Sequence, residues 1–160
     1  MTISAGEKMP AGTFGIMTEA GPGAISTDEL FTGKKVVLVS VPGAFTPTCS
    51  MNHLPGFVDQ ADTLRSKGVD TIACMAVNDV FVMDAWGKDR GVGDDVLMLA
   101  DGNGEYARAL GLELDATGFG MGMRGQRFAL VVDDGVATHV AVEAPGQFEV
   151  SKVEAILDSL

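Results

Sequence analysis

The segment that most constrains the fold is a short apolar run, KVVLVSV, which spans Lys35–Val41. Apolar residues occupy both phases of its alternation, so the strand that it predicts has both faces buried. Such a strand belongs inside a sheet that is covered by helices on each side, as parallel strands generally are. The run therefore predicts an α/β protein.

Strands and helices alternate along the rest of the chain. Apolar residues recur at helical spacing from Leu54 to Leu64, and Gly68 provides the stop signal. The pattern then predicts a strand at Val69–Val77, a helix at about Asp79–Lys88, a strand at Val96–Ala100, a helix at Glu105–Leu110, and a hairpin of Phe128–Val132 and Val136–Val142. The segment Ser151–Glu154 has the pattern of a capping box that opens a last helix. This order, βαβ units followed by ββα, is that of a thioredoxin-like fold with a mixed central sheet and helices on both faces.

Length and composition limit the classes of protein to consider. The chain of 160 residues is long enough for one domain, which we expect to span residues 1–160. Hydrophobic residues make up 46 % of it, which supports a core and excludes an intrinsically disordered chain. The 11 basic and 22 acidic residues leave a net charge of −11, which disfavours binding to nucleic acid or to anionic membrane surfaces.

The cysteine content and the N-terminus predict a cytoplasmic protein. Two cysteines, Cys49 and Cys74, with no CxxC motif, are too few for a disulfide scaffold and fit a reducing compartment. The first residues, MTISAGEKMPAGTF, contain neither the apolar segment of a signal peptide nor an Arg-rich amphipathic pattern. The longest apolar runs are of strand length, too short to span a membrane.

Histidines and cysteines do not cluster at ligand spacing, so we expect no metal and no other cofactor.

The chemistry of the chain is expected in the segment PGAFTPTC, which spans Pro42–Cys49 between the first strand and its helix. Thr46 is a suitable N-cap and Pro47 a suitable first helical residue, which puts Cys49 at the third helical position. A thiolate there meets the unpaired N–H groups and the positive end of the helix dipole, and both lower the pKa of a cysteine. The pattern therefore predicts that Cys49 is a reactive thiolate.

Other interpretations of the cysteines and of a nearby histidine stay open. A lone cysteine commonly behaves as a small hydrophobic residue, so Cys49 could be structural. Cys74 lies in the middle of the strand-like run IACMAV, where an inert core thiol is the favoured interpretation. His53 follows Cys49 by four residues, which raises the alternative of a Cys–His dyad for acyl transfer. No third orienting residue is evident and Pro55 disturbs this part of the helix, so we interpret His53 as structural support or part of an interface.

Several segments together resemble the peroxiredoxins. Beside PGAFTPTCS these are HLPGF (His53–Phe57), AVND (Ala76–Asp79), Trp86-Gly87, LMLAD (Leu97–Asp101) and RFAL (Arg127–Leu130). They occur in order from about Val36 to the C-terminus, so the resemblance covers most of the chain. The group of plant type II and mammalian atypical peroxiredoxins is the one that the chain resembles most.

The resemblance implies a thiol peroxidase, an antioxidant oxidoreductase that reduces hydrogen peroxide and small alkyl hydroperoxides. Cys49 matches the peroxidatic cysteine, whose thiolate becomes a sulfenic acid, and Thr46 matches the threonine that bonds to the peroxide and the thiolate. Pro42 matches the proline that closes off the pocket. Arg127 matches the arginine that stabilises the thiolate and the departing oxygen, with Arg124 close enough in sequence to be an alternative. Without the resemblance, a solvated charge at a strand edge would be the simpler interpretation of Arg127.

The chain departs from the atypical two-cysteine members at the resolving cysteine, which in them lies late in the chain. The corresponding region here, GQFEVS at Gly146–Ser151, contains no cysteine. Cys74 matches a cysteine that usually does not resolve, and a bridge from its strand to the helix of Cys49 would require local unfolding. The resemblance therefore implies a one-cysteine cycle with an external reductant, either glutathione with glutaredoxin or thioredoxin. It also implies a homodimer.

The alternative function is a peroxide-sensing redox switch or a chaperone-like binding protein with incidental turnover. The loop that contains Phe119, Met121 and Met123 offers soft apolar surface, near the active site or at a dimer contact, which is compatible with this alternative. Continuous turnover of peroxide with a thiol donor would distinguish the enzyme from a sensor that is oxidised once.

Overall fold

The computed structural model describes the backbone of residues 1–160 and every side chain except that of Cys49. Its strands are β1 (Thr13–Thr18), β2 (Gly21–Ser26), β3 (Lys35–Ser40), β4 (Thr71–Ala76), β5 (Leu97–Ala100), β6 (Glu113–Asp115), β7 (Met123–Gly125), β8 (Phe128–Asp133) and β9 (Val136–Val142). In this described backbone, seven strands form one mixed sheet in the order β2-β1-β5-β4-β3-β8-β9, while β6 pairs with β7. The predicted thioredoxin-like α/β fold is confirmed.

Helices cover both faces of the sheet, as predicted. They are α1 (Thr27–Phe31), α2 (Leu54–Asp59), α3 (Ala61–Ser66), α4 (Val80–Asp89), α5 (Glu105–Ala109) and α6 (Val153–Ser159), with a π-helical turn at Cys49–His53 and a 3-10 turn at Thr117–Phe119. Helices α2, α3, α4 and α6 share a hydrophobic cluster with Val37 and Val39 of the central strand β3. The alternate residues Val36 and Leu38 pack in a second cluster with α1 and α5. Strand β3 therefore has both faces buried.

The C-terminal hairpin follows the turn signal in the sequence. Strands β8 and β9 pair antiparallel, and the turn residues Asp134 and Gly135 have φ angles of 47° and 80°. Positive φ at both central positions is what a tight hairpin turn requires, and Asp-Gly is a preferred pair there. The hairpin places the start of β8, and with it Arg127, beside β3 at the centre of the sheet.

Several elements differ from the sequence prediction, including the paired strands β6 and β7, the second of which contains Met123 of the predicted loop. The residues before β3 form β1, β2 and α1, which the apolar pattern did not indicate. The predicted helix from Leu54 to Leu64 is divided at Gln60, whose backbone leaves the helical conformation. The capping box at Ser151 is wrong, because α6 begins at Val153 and the Ser151 hydroxyl donates instead to Glu143, at 2.6 Å. A hydrogen bond that the hydroxyl donates to an ionised carboxylate is stronger than one that it accepts from a neutral backbone N–H, so the Ser151 side chain pairs with Glu143 and does not cap the helix.

Over the described residues, none of the helices is both long enough and apolar enough to cross a lipid bilayer.

Candidate active site

The loop between β3 and the π-helical turn, Pro42–Thr46, is held in one conformation by hydrogen bonds. The Ala44 N–H donates to Oδ1 of Asn78 at 2.9 Å, and the Thr46 hydroxyl donates to the Gly43 carbonyl oxygen at 2.7 Å. Phe45 has a φ of 65°, a left-handed conformation that is strained for a bulky residue and that commonly marks functional loops. Pro42 and Thr46 are both half-buried at this loop.

The helical segment begins where the sequence predicted. Pro47 is its first helical residue, and the Ser50 N–H donates to the Thr46 carbonyl oxygen at 2.9 Å. Cys49 is thus the third helical residue and opens the π-helical turn, an irregularity that is frequent at functional sites. The side chain of Cys49 lies outside the described residues, so the predicted thiolate stays a prediction.

Arg124 contacts the Pro42–Thr46 loop from strand β7. Its Nε donates to the Met121 carbonyl oxygen at 2.8 Å and its Nη1 donates to the Val77 carbonyl oxygen at 3.1 Å. A methyl group placed on Gly43 would lie 3.5 Å from Nη1 of Arg124, so the guanidinium packs directly on the loop backbone. The half-buried Arg124 therefore brings a positive charge to the beginning of the segment that carries Cys49.

Arg127 contacts the other end of the same segment. Its Nη1 lies 2.8 Å from Nδ1 of His53, the last residue of the π-helical turn. Its guanidinium carbon lies 5.9 Å from the centroid of the Phe148 ring, a cation–π distance. The interpretation of Arg127 as a solvated strand-edge charge is wrong, because the side chain is half-buried against a buried imidazole.

His53 has no exposed surface, and both of its ring nitrogens have partners. Nε2 lies 3.0 Å from the Ser151 carbonyl oxygen and Nδ1 faces Arg127. A carbonyl cannot donate and a guanidinium cannot accept, so Nε2 carries the proton and Nδ1 accepts. Burial, and then the charge of Arg127, lower the pKa of His53 from 6.5 to about 3. This neutral, fully engaged ring does not fit a Cys–His dyad, and its burial excludes the surface of an interface.

Glu143 completes a buried polar network that the sequence did not indicate. Its Oε2 accepts hydrogen bonds from the Ser151 N–H at 2.8 Å, the Ser151 hydroxyl at 2.6 Å and the Glu149 N–H at 2.8 Å. Burial alone would raise the pKa of Glu143, yet these hydrogen bonds outweigh it and hold the pKa below its ordinary value. Glu143 therefore fixes the segment that precedes α6, and Ser151 links that segment to His53.

Cys74 lies in the middle of β4 and has no exposed surface. It belongs to the cluster that also contains Leu54 and Phe57 of α2. The prediction of a core thiol is confirmed, and no reagent in solution reaches this sulfur without opening the packing between β4 and α2.

Comparison with known proteins identifies the family. The Redoxin family model matches residues 4–157. Peroxiredoxin-2B of Arabidopsis thaliana is 50 % identical over 159 residues, which cover 99 % of this chain and 98 % of that protein. Peroxiredoxin-2E, chloroplastic, of the same plant is 48 % identical over 164 residues, which cover 99 % of this chain and 70 % of that protein. The chain belongs to the peroxiredoxins.

This peroxiredoxin also shares its whole fold with a solved structure. Reduced Prx3 from Vibrio vulnificus, in complex with H2O2, matches with a TM-score of 0.95 and 51 % identity over 99 % of each chain. The resemblance that the sequence motifs predicted is therefore confirmed, and the protein is a thiol peroxidase, an antioxidant oxidoreductase. Of the predicted site residues, Pro42 and Thr46 lie at one end of the Cys49 segment and Arg127 contacts the other end through His53.

Proposed function

We propose that this peroxiredoxin reduces hydrogen peroxide and small alkyl hydroperoxides through the thiolate of Cys49. The thiolate attacks one peroxide oxygen, the O–O bond breaks, and Cys49 becomes a sulfenic acid while the other oxygen leaves as an alkoxide or hydroxide that takes up a proton. The main support is the position of Cys49, third in a helical segment: Arg124 packs on the loop before this segment, and Arg127 contacts His53 at the end of its π-helical turn. The related Prx3 was solved with hydrogen peroxide, which supports the same substrate class here.

Each neighbouring residue has a role in this proposal. Arg127 stabilises the thiolate and the negative charge that develops on the departing oxygen. Thr46 gives its own proton to the Gly43 carbonyl, so its oxygen is oriented to accept a hydrogen bond from the peroxide hydroxyl. Pro42 closes the pocket on the β3 side and keeps water from the sulfur. Arg124 is the alternative source of positive charge.

We further propose that an external thiol completes the cycle. The sulfenic acid condenses with a thiol to a mixed disulfide and water, and a second thiol then releases Cys49. Two observations support this route: Gly146–Ser151 contains no cysteine, and Cys74 is buried in β4. Glutathione with glutaredoxin, or thioredoxin, is the proposed reductant.

The proposal also covers assembly, domain and location. Exposed apolar side chains flank Cys49 in sequence at Phe45 and Met51, and Phe119 is exposed in the loop before β7. Because exposed apolar side chains that cluster on a surface mark interaction sites, we propose a homodimer formed by the loops around Cys49. We propose that residues 1–160 act as one domain. The cytoplasmic location is also a proposal, and a chloroplastic relative shows that location varies within the family.

Intact-mass analysis after one equivalent of hydrogen peroxide tests the proposal, with and without glutathione. A gain of one oxygen on Cys49, converted by glutathione to a mixed disulfide, is the expected result. The Cys49→Ser variant should show neither product, and a Cys49→Ser variant with full peroxidase activity would refute the proposal. Loss of two hydrogens within one chain would instead mean that Cys74 resolves. One stoichiometric oxidation without turnover would favour the peroxide-sensing alternative.

A further inference from the structure

We infer that His53 is a positioning residue for the peroxide step. It holds Arg127 through a neutral ring nitrogen and leaves the positive charge of the guanidinium in place. The inference rests on the proposed function, in which the Arg127 guanidinium stabilises the reacting oxygen. It adds that the orientation of this guanidinium depends on a buried histidine one helical turn beyond Cys49 in the same segment.

The contact supplies what an arginine needs in order to act on a small substrate. Arginine has a long side chain with many rotamers, and a free guanidinium samples many positions. The 2.8 Å contact from Nη1 to Nδ1 of His53 fixes one of its donors, and the Phe148 ring lies 5.9 Å from its central carbon. A charge that is already oriented before the reaction stabilises a transition state better than one that must reorganise.

His53 is itself held by a chain of buried groups. Its Nε2 donates to the carbonyl oxygen of Ser151, and both the N–H and the hydroxyl of Ser151 donate to Glu143. His53 and Ser151 have no exposed surface and Glu143 is 6 % exposed, so water does not compete for these hydrogen bonds. These hydrogen bonds link Glu143 to Ser151, Ser151 to His53 and His53 to Arg127. Together they fix both the tautomer and the orientation of the imidazole.

The chemistry of the acceptor explains why a histidine suits this place. A carboxylate at the same position would hold Arg127 by an ion pair and would cancel much of the positive charge that the reaction uses. A neutral imidazole nitrogen accepts the hydrogen bond and adds no charge. His53 stays neutral in the ordinary pH range because burial and Arg127 both oppose its protonation.

Two amide variants separate the two hydrogen bonds of the ring. In His53→Asn the amide oxygen can take the place of Nδ1 and accept from Arg127, while the reach to Ser151 is lost. In His53→Gln the amide nitrogen can take the place of Nε2 and donate to Ser151, while the acceptor for Arg127 is lost. The two side chains are similar in chemistry, and each keeps one of the two native hydrogen bonds of the ring, so they are matched controls for each other.

The measurement is the second-order rate of Cys49 oxidation by hydrogen peroxide, determined from pH 5 to 10. It is followed by the fluorescence of Trp86 and checked by intact mass, and it gives a limiting rate for the fully ionised thiol. We expect the limiting rate to fall roughly 10-fold or more in His53→Gln and to stay within about threefold of wild type in His53→Asn. In an Arg127→Ala background, His53→Gln should change the rate less than about twofold, since the residue it positions is absent.

Equal limiting rates in the two amide variants would overturn the inference, as would a full effect of His53→Gln in the Arg127→Ala background. If one variant does not fold, the other is compared with wild type alone. The inference requires both that His53→Asn retains the limiting rate and that His53→Gln loses it, so either result by itself can refute the inference. Failure of the proposed function gives a separate result, because the wild-type protein itself would then gain no oxygen on Cys49.

Discussion

The indole Nε1 of Trp86 donates a 2.8 Å hydrogen bond to Oγ of Ser50, the residue that follows Cys49. Trp86 has no exposed surface, and Arg90 at the end of α4 donates to the Ser50 carbonyl oxygen at 3.1 Å. Helix α4 therefore holds the π-helical turn through both the side chain and the backbone of one residue. Since Trp86 is the only tryptophan in the sequence, its fluorescence reports on this turn.

Ser50→Ala should lower the free energy of unfolding by about 1–3 kcal/mol, because it leaves the buried indole N–H of Trp86 without its acceptor. Urea denaturation measures the change. Ser66→Ala is the matched control, since its hydroxyl is exposed on α3, and its effect should stay within about 0.5 kcal/mol. A Ser50→Ala protein as stable as this control would show that the hydrogen bond contributes nothing.

The two arginines at the ends of the Cys49 segment should differ in their effect on the chemistry. Arg127→Ala should raise the pKa of the Cys49 thiol and lower the rate of the peroxide step by about 10²- to 10³-fold, the usual effect of removing one donor to a developing oxyanion. Arg124 is occupied by the Met121 and Val77 carbonyl oxygens, so Arg124→Ala should act mainly on the stability of the loop. Stopped-flow oxidation and iodoacetamide alkylation against pH measure both effects. If Arg124→Ala raises the thiol pKa and slows the peroxide step and Arg127→Ala does not, then Arg124 is the residue that stabilises the reacting oxygen.

Acid should destabilise the protein through His53 before the carboxylates are protonated. The folded pKa of His53 is about 3 and that of an exposed histidine is near 6.5, so the unfolded chain takes up the proton first as the pH falls. The stabilisation is complete above about pH 6.5 and decreases toward pH 3, with a slope of up to about 1.4 kcal/mol per pH unit. Arg127 opposes protonation of the ring and Glu143 favours it, and the burial of the ring decides the sign.

Denaturant titrations of wild type and His53→Gln between pH 5 and 7 measure this slope. The variant should lose it, since no imidazole remains at residue 53. Proton–nitrogen NMR of the ring checks the cause directly, with His139→Gln used to assign the signals of the two histidines. Protonation of His53 in the folded protein near pH 6 would contradict the prediction.

Local pattern was enough to predict the central part of the fold. The strand KVVLVS, the Asp134-Gly135 turn and the helix start at Pro47 are all set by residues within a few positions of each other. Strand β2, GPGAIS, was missed because its glycines and proline give no apolar alternation, and it forms by pairing along β1.

The site was predictable only as far as it is local. The position of Cys49 in the helix follows from Thr46 and Pro47, but the contact of Arg127 with His53 joins residues 74 positions apart. The sequence also does not show that Glu143 and Ser151 form hydrogen bonds next to His53, since these bonds depend on how the C-terminal segment folds back. The sequence motif supplied the chemistry, and the tertiary structure supplied the orientation of the charges.

Asp101→Ala should destabilise the protein by about 1–3 kcal/mol through the start of α5. The Asp101 carboxylate is buried, and its two oxygens accept from the N–H groups of Tyr106 at 3.0 Å and Ala107 at 2.9 Å. Those N–H groups belong to the first turn of a helix, where no backbone carbonyl can satisfy them, so alanine would leave both unpaired. Thermal and urea denaturation measure the loss. Asn103→Ala, on the exposed side of the same turn, is the control and should change stability by less than about 0.5 kcal/mol. If the two variants are equally stable, water replaces the carboxylate and Asp101 does not hold the helix.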